Sequence, residues 1–149
     1  MTTLIRKCEL ADLPAVGAMF MNWHHGRQAE SDLEQLKDRL SDFFLVCEYD
    51  ETIIGFVIGA RGPVDAIGIE ISREAFPETL AYLEIQDLYV ATEHRNQGIG
   101  SQLMSAIMQR GRDAGLKHSM VYSSNADYSR IGRFYEKFGF RIDHLFMKQ

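Results

Sequence analysis

The chain has 149 residues, of which 46% are hydrophobic and 25% are charged, and its formal net charge at pH 7 is −5. This length suits one domain, which we place over residues 1–149, and a chain of this size needs no metal or disulfide to hold a core. The composition indicates a soluble globular protein, and the acidic balance argues against general nucleic-acid binding.

The N-terminal segment predicts a strand followed by a helix. Residues 4–10 read as the strand. Asp12 then has the form of a helix N-cap, with Pro14 in the first turn. The helix continues through apolar residues at helical spacing, namely Leu13, Val16, Met19, Phe20 and Trp23.

A second short helix and a hairpin come next. Residues 31–34, with the sequence SDLE, have the form of a capping box and predict the start of the helix. Residues 43–49 and 53–61 predict two strands joined by a tight turn. Residues 62–79 are the least regular part of the chain, and we expect a loop with a short helix there.

The C-terminal half alternates strands and helices. Residues 80–90 predict a central strand, and residues 98–115 predict a helix ended by Gly115. The buried stripe of this helix consists of Leu103, Met104, Ile107 and Met108. Residues 116–123 predict another strand, the next helix ends at Gly139, and residues 140–147 form the last strand. The order predicts a mixed α/β sheet flanked by helices.

The cysteines and the apolar runs bear on localisation. Cys8 and Cys47 match neither a metal-binding spacing nor a C-x-x-C pair, and their apolar neighbours predict buried, reduced thiols. The first residues lack the long apolar run of a signal peptide, and no run is long enough to span a membrane. We therefore expect a cytoplasmic protein without a membrane partner.

A turn with two glycines lies between the central strand and the following helix. It reads Arg95-Asn96-Gln97-Gly98-Ile99-Gly100. A helix N-terminus carries unpaired N–H groups and partial positive charge, so small residues there let a phosphate approach. The alternative explanation of the two glycines is that the backbone only needs a tight turn. The chain has no G-x-x-x-x-G-K-S/T run, and Leu103 occupies the place of the third glycine of a dinucleotide motif, so neither common nucleotide motif fits.

Two segments carry a resemblance to a known family. HRNQGIGSQLM resembles the acetyl-CoA-binding signature Q/R-x-x-G-x-G/A of the GNAT superfamily of N-acetyltransferases, with Arg95, Gly98 and Gly100 at its fixed positions. RFYEKFGFR, residues 133–141, is similar to the family's Y-x-x-x-G-F segment. The resemblance implies a single-domain GNAT fold, in which a mixed central sheet with a splayed pair of strands is flanked by about four helices. It also implies acetyl-CoA as donor and a primary amine as acceptor.

The resemblance also implies which residues bind the donor. Backbone N–H groups of residues 97–101, with the Arg95 side chain nearby, would hold the pyrophosphate. The preceding strand, bulged and splayed from its neighbour, would offer its main chain to the pantetheine arm and the thioester carbonyl. The implied cofactor-binding residues are Leu88, Tyr89, Val90, Arg95, Asn96, Gln97, Gly98, Ile99, Gly100, Ser101 and Asn125.

Two carboxylates within the apolar central strand are candidates for the catalytic base. A buried charge is costly unless it has a partner or a use, so Glu84 and Asp87 are unusual there. The spacing of Glu84 from Arg95 matches the family's glutamate base, and some aminoglycoside acetyltransferases carry an aspartate at the place of Asp87. Simple alternation places the two on opposite faces unless the strand bulges. We favour Glu84, with Asp87 as the alternative base or as a contact for a cationic acceptor.

Tyr135 is the candidate catalytic acid, because it matches the family tyrosine near the cofactor sulfur. A tyrosine on the apolar face of a helix also has a purely structural explanation. No cysteine lies near the motifs, so we expect direct transfer in a ternary complex.

The acceptor site is expected beside the first helix connection and the irregular segment. Residues 23–28 offer an aromatic and imidazole rim, although Trp23 also has a simple packing explanation. His24 and His25 are adjacent and lack a third ligand with suitable spacing, so the sequence predicts no metal site. Residues 62–79 add the acidic side chains Asp65, Glu70, Glu74 and Glu78.

We expect a small cationic amine as the acceptor. One alternative is an enzyme that acetylates a protein lysine or N-terminal amine. The other alternative is a non-catalytic module that binds acyl-CoA. The apolar sequence HLFM in the last strand also allows pairing between two chains as a homodimer.

Overall fold

The computed structural model describes residues 1–23, 32–64, 66–77, 81–121 and 128–142. One mixed sheet of five strands, with helices on both faces, forms the centre of the fold. The strands are β1 (Leu4–Lys7), β2 (Phe44–Tyr49), β3 (Thr52–Gly62), β4 (Tyr82–Val90) and β5 (Ser119–Val121). The helices are α1 (Leu13–Asn22), α2 (Leu33–Asp38), α3 (Ala66–Ala75), α4 (Ile99–Asp113) and α5 (Tyr128–Glu136). The predicted mixed α/β class is confirmed, and α3 is the helix of the segment expected to be irregular.

The strands follow one another in spatial order from β1 to β5. Neighbours from β1 to β4 are antiparallel, whereas β5 is parallel to β4. The parallel pairing covers residues 83–85 of β4. Among the described residues, positions 87–90 of β4 pair with β3 alone.

Two apolar cores cover the two faces of the sheet. On one face, α1 and α2 pack through residues that include Val16, Phe20 and Leu36. On the other face, α4 packs through Leu103 and Ile107, with α5 against the same cluster. Burying each such side chain contributes about 1.5–3 kcal/mol, so the two cores fix the positions of the helices relative to the sheet.

Three sequence predictions need correction. The N-cap of α2 is Asp32, whose Oδ1 accepts hydrogen bonds from the N–H groups of Glu34 and Gln35, and Ser31 of the predicted capping box lies outside the described residues. The predicted strand over residues 4–10 ends at Lys7, because Leu10–Asp12 forms a 3-10 turn. Residues 140–142 are not in a strand, and the rest of the predicted last strand lies outside the described part.

Asp12 occupies the N-cap position of α1, but its side chain does not cap that helix. It accepts two hydrogen bonds from Arg6, at 2.7 and 2.8 Å, and a third from the N–H of Glu9 at 2.8 Å. Arg6 also bonds Glu48 at 2.9 Å, which ties β1 and β2 to the start of α1. The Arg6 guanidinium holds the pKa of the Asp12 carboxyl below its ordinary value.

Replacing Asp12 with asparagine is expected to lower the free energy of unfolding by about 1.5–3 kcal/mol at neutral pH, because the charge-assisted bonds are lost. A lowered folded-state pKa stabilises the protein above the unfolded-state pKa, about 3.9, and this stability is lost as pH falls through the folded-state pKa. In Asp12→Asn the free energy of unfolding should therefore fall less steeply as pH is lowered, which urea titrations at several pH values measure. The control is Asp42→Asn, because the Lys7–Asp42 pair is exposed and should contribute nothing measurable. Equal losses for both variants would contradict this assignment.

Both cysteines are buried and unbridged, as the sequence predicts. Burial raises the pKa of the Cys8 thiol to about 12 and raises that of Cys47 as well. Neither thiol is a ready nucleophile at neutral pH, because the thiolate is the reactive form.

Two further findings concern the described residues only. No helix among them is both long and apolar enough to cross a bilayer. The same part of the chain contains no group of three or more histidine, cysteine or acidic side chains arranged to hold a metal ion.

Candidate active site

Strand β4 contains a bulge that brings its two carboxylates to one face. Residue partners are Ile58 with Asp87 and Ala60 with Glu84, whereas Gly59 lies opposite Ile85. Three residues of β3 therefore face four of β4, so one residue of β4 is extra. Since Ile58 and Ala60 are two apart and share a face, Glu84 and Asp87 share it too. The bulge overturns the alternation that places them on opposite faces.

Gly59 permits close packing at this bulge. A Cβ built on it would lie 2.9 Å from the Glu84 carbonyl oxygen and 2.9 Å from Cδ1 of Ile107. Any larger residue would push α4 or β4 away. The glycine therefore helps to fix the backbone that carries Glu84.

A chain of polar contacts links the two carboxylates on the face of α1 and α2. Glu84 and Asp87 are only 5% and 6% exposed. Nε2 of Gln86 lies 3.4 Å from Oε1 of Glu84. Nη2 of Arg39 donates to Oε1 of Gln86 at 3.0 Å and to Oδ2 of Asp87 at 2.6 Å. The buried charge of Asp87 is therefore paired with Arg39, just beyond the end of α2.

Sequence reasoning missed Arg39, although a signal for it exists. Arg39 lies three residues after the fully buried Leu36, so the two share one face of the helix. A charged residue that continues an apolar face needs a partner inside the protein. The partner, Asp87, is 48 positions away along the chain, and the sequence alone does not reveal it.

The turn before α4 leaves a helix N-terminus open. Asn96 and Gly98 have φ angles of 60° and 81°, so the chain reverses through two left-handed residues. Gly98 is the N-cap and provides no side-chain cap. The N–H of Gln102 donates to Gly98 O at 3.0 Å, which is the first turn of the helix. The N–H groups of residues 99–101 precede that bond and point out of the helix end.

The two glycines of this turn differ in how strictly their positions require glycine. Gly98 has left-handed backbone, and a Cβ built on it would meet nothing within 4 Å, so the space above it is open. A Cβ on Gly100 would contact the Phe134 ring at 3.6 Å, an ordinary distance. The turn therefore requires glycine at position 98, whereas position 100 also has room for alanine.

Arg95 folds back onto the end of β4. Its Nε donates to the carbonyl oxygen of Val90 at 2.9 Å, and its Cζ lies 5.3 Å from the centre of the Tyr89 ring. The Val90 carbonyl, expected to be open to a cofactor, is therefore already engaged by Arg95. Arg95 joins the turn to the strand in addition to placing positive charge near the helix end.

Tyr135 lies on α5, with its ring 5.7 Å from that of Phe140 and 5.1 Å from that of Phe134. Burial, and after it the negative charge of Asp87, raises the pKa of its hydroxyl to about 12. At neutral pH it is protonated and can act as a hydrogen-bond or proton donor.

Two clefts adjoin β4. The one that we call the α2 cleft has a volume of about 400 Å³ and is lined by residues that include Asp38, Arg39, Ser41 and Gln86. A second cleft of about 360 Å³ lies between α1 and the turn after β4, and it includes Tyr89. The α2 cleft is lined by Gln86 and Arg39, the side chains that connect Glu84 to Asp87.

The remaining predicted residues divide between described and undescribed parts. Trp23 packs its ring 5.9 Å from that of Phe20 and 5.4 Å from that of Tyr89, as its packing explanation requires. Glu70 and Glu74 are exposed on α3. The other predicted residues, Asn125, His24, His25, Asp65 and Glu78, lie outside the described residues.

Comparison with known proteins was made on sequence and on structure. Residues 10–140 match the profile described as the Acetyltransferase (GNAT) family. N-acetyltransferase 8B of Homo sapiens is 33% identical over 98 residues, which cover 66% of this chain and 38% of that protein. N-acetyltransferase family 8 member 2 of Rattus norvegicus is 27% identical over 144 residues, 96% of this chain and 51% of that protein. The chain thus spans about half, or less, of the length of these relatives.

A solved structure supports the same fold. The aminoglycoside acetyltransferase AAC(6')-Iy, in complex with the bisubstrate analogue CoA-S-monomethyl-acetylneamine, superposes with a TM-score of 0.78 at 15% identity. The match covers 100% of this chain and 98% of the other. At this identity the likeness establishes the architecture of sheet and helices.

Proposed function

Because the chain belongs to the GNAT acetyltransferase family, we propose that it transfers the acetyl group of acetyl-CoA to the primary amine of a small molecule. The observation that carries the proposal is the placement of an open helix N-terminus at the end of the strand that bears two buried carboxylates. The first feature can hold the donor, and the second can deprotonate the acceptor. Aminoglycoside acetyltransferases of the same architecture support a small amine as the acceptor class.

The turn before α4 fits the pyrophosphate of the donor. The N–H groups of residues 99–101 lie in the first turn of α4, and no side chain caps the helix. The open space above Gly98 leaves room for the phosphates, which the partial positive charge of the helix end attracts. Bound there, acetyl-CoA supplies an activated acyl group as a thioester.

The protein's own groups then handle the protons. A primary amine is mostly protonated at neutral pH and must lose a proton before its nitrogen can attack the carbonyl carbon. We assign this proton to Glu84, directly or through a water molecule. As the new C–N bond forms and the C–S bond breaks, the backbone N–H groups of Leu88 and Val90, which face away from β3, would stabilise charge on the carbonyl oxygen, and Tyr135 would protonate the departing sulfur.

Asp87 is less suited to act as the base. Its Oδ2 already accepts a 2.6 Å bond from Arg39, so taking up a proton would weaken that ion pair. Direct transfer in a ternary complex follows from the cysteines, since both thiols are buried and their pKa values are raised. The chain has no other cysteine to carry an acetyl group.

The test measures CoA release with a panel of primary amines and compares two variants of α4. Ser101→Asp places a carboxylate in the first turn, beside the proposed pyrophosphate site, whereas Ser105→Asp places it one turn later on an exposed position. We expect Ser101→Asp to weaken acetyl-CoA binding by about 10- to 100-fold through charge repulsion. The same charge at a helix N-terminus should stabilise the fold by about 0.3–1 kcal/mol.

Ser105→Asp should bind acetyl-CoA as the wild type does. Isothermal titration calorimetry and thermal melting separate the two effects. Equal affinities for both variants would contradict the pyrophosphate site. Binding of acetyl-CoA without turnover of any small amine would contradict the proposed function. If a peptide lysine or N-terminus were acetylated instead, the acceptor would be a protein. If nothing were acetylated, the chain would be an acyl-CoA-binding module.

A further inference from the structure

Arg39 contacts the two buried carboxylates of β4 in unequal ways. Its Nη2 donates directly to Oδ2 of Asp87 at 2.6 Å. The connection to Glu84 runs through Gln86, whose Oε1 accepts from the same Nη2 at 3.0 Å and whose Nε2 donates to Oε1 of Glu84 at 3.4 Å. The positive charge is thus paired with Asp87, whereas a neutral amide stands between the guanidinium and Glu84.

This difference determines which carboxylate can take up a proton at lower cost. A cation beside a carboxylate favours its charged form. Protonation of Asp87 would break a charge pair at a side chain that is only 6% exposed, which is costly inside a protein. Protonation of Glu84 neutralises a buried negative charge and leaves that pair intact. Proton transfer to Glu84 is therefore favoured over transfer to Asp87.

Asp87 has the position of a base in other respects. The bulge puts it on the same face of β4 as Glu84. It directly precedes Leu88, whose N–H faces away from β3 and is the proposed donor to the thioester carbonyl oxygen. Asp87 thus lies beside the reacting carbonyl, and its charge pair with Arg39 is the feature that opposes its use as the base.

Resting on the acetyl transfer proposed above, we infer that Arg39 is a positioning residue that makes Glu84 the base, and that Asp87 becomes a second base once the charge of Arg39 is removed. With either base, one proton passes from the ammonium of the acceptor to a carboxylate oxygen, and the amine then attacks the thioester carbonyl carbon. The proton leaves to solvent after the product has departed. A buried carboxylate that has lost its cation takes up a proton more readily, which suits Asp87 to this role.

The experiment measures how strongly turnover depends on Glu84 in different backgrounds. In each background, kcat of the chain with Glu84 is divided by kcat of the same chain with Glu84→Gln, at neutral pH with saturating acetyl-CoA and amine. In the wild type this ratio should be about 10²- to 10⁴-fold. In Arg39→Gln it should be about 10- to 100-fold smaller, the usual size of coupling between neighbouring residues, because Asp87 replaces the missing base.

Three variants make the result specific. Arg39→Gln/Asp87→Asn removes the second base together with the charge, so the full dependence on Glu84 should return. Arg39→Lys keeps a charge for Asp87 but lacks the planar guanidinium, so its ratio should lie between those of the wild type and Arg39→Gln. Lys37→Gln removes an exposed charge from α2 and should leave the ratio unchanged. If Arg39→Gln does not fold, the comparison of Arg39→Lys with Lys37→Gln carries the test.

A pH profile distinguishes a second base from altered packing. Asp87 lies beside Arg39 of α2 and shares its face of β4 with Glu84. Tyr135 of α5 is a further titratable group, because the charge of Asp87 acts on its hydroxyl. The gain of Arg39→Gln/Glu84→Gln over Glu84→Gln should be present at neutral pH. It should vanish towards the pKa of the acceptor amine, about 10 for an alkylamine, because the free amine needs no base.

Three results would overturn the inference while leaving acetyl transfer intact. One is the same ratio in the wild type and in both Arg39 variants, with thermal melting and calorimetric titration showing that they are folded and bind acetyl-CoA. Another is a reduced ratio that persists in Arg39→Gln/Asp87→Asn, since Asp87 would then not be its cause. The third is a wild-type ratio near one, since Glu84 would then not be the base. Failure of the wild type to acetylate any amine, with acetyl-CoA bound, would instead overturn the proposed function.

Discussion

Glu84→Gln is expected to lower kcat by about 10²- to 10⁴-fold, the usual contribution of a positioned general base. Glutamine has the same shape and can still contact Gln86, so the bulge of β4 should persist and acetyl-CoA affinity should change little. The deficit should narrow as pH rises towards the pKa of the acceptor amine, about 10 for an alkylamine, because the free amine then no longer needs a base. The pH profile of kcat, measured with saturating amine, checks both expectations.

Two companion variants make this result specific. Glu51→Gln changes an exposed glutamate in the β2–β3 turn and should retain full activity. Asp87→Asn removes the partner of Arg39 and should lower activity at every pH, without the recovery at high pH that a missing base produces. If Glu84→Gln keeps wild-type turnover and Asp87→Asn shows the recovery, the base is Asp87.

Local patterns predicted most of the elements but not the contacts that build the site. Helical spacing placed α1, α4 and α5 because each presents its apolar residues to a core at that period. The irregular appearance of α3 arises because isoleucines alternate along IGIEIS, a strand-like period within a helix. Asp12 had the right type and place for a cap, yet its carboxylate bonds Arg6, which comes from β1.

The bulge and the Arg39–Asp87 pair could not be predicted from local sequence patterns, because both depend on contacts between separate elements. A bulge is a mismatch between two strands, and no property of β4 alone determines which residue is extra. The pair with Arg39 depends on how α2 packs over the sheet, which is fixed by Leu36 and the aromatic residues beneath it. Both features determine which face and which partners the two carboxylates have. The sequence therefore identified Glu84 and Asp87 as candidates but could not predict their arrangement.

Tyr135→Phe is expected to lower kcat by about 10²-fold, the lower part of the range for general acid catalysis. The hydroxyl suits this role because burial raises its pKa to about 12, and the charge of Asp87 acts in the same direction. It therefore holds its proton throughout the working range. Phenylalanine fills the same space against Phe134 and Phe140, so acetyl-CoA affinity and folding at neutral pH should be preserved.

The same variant also tests whether the pKa of the Tyr135 hydroxyl is raised, because a raised pKa makes stability depend on pH and a ring that only packs does not. An unfolded tyrosine ionises near pH 10, whereas the folded Tyr135 resists ionisation to about 12. Stability from this group is thus complete below pH 10, and it falls as pH rises towards 12. Tyr135→Phe should remove that part of the alkaline decline, while Tyr49→Phe, at a more exposed ring, should keep it. Loss of the decline with wild-type kcat would show that Tyr135 is buried as described but is not the acid.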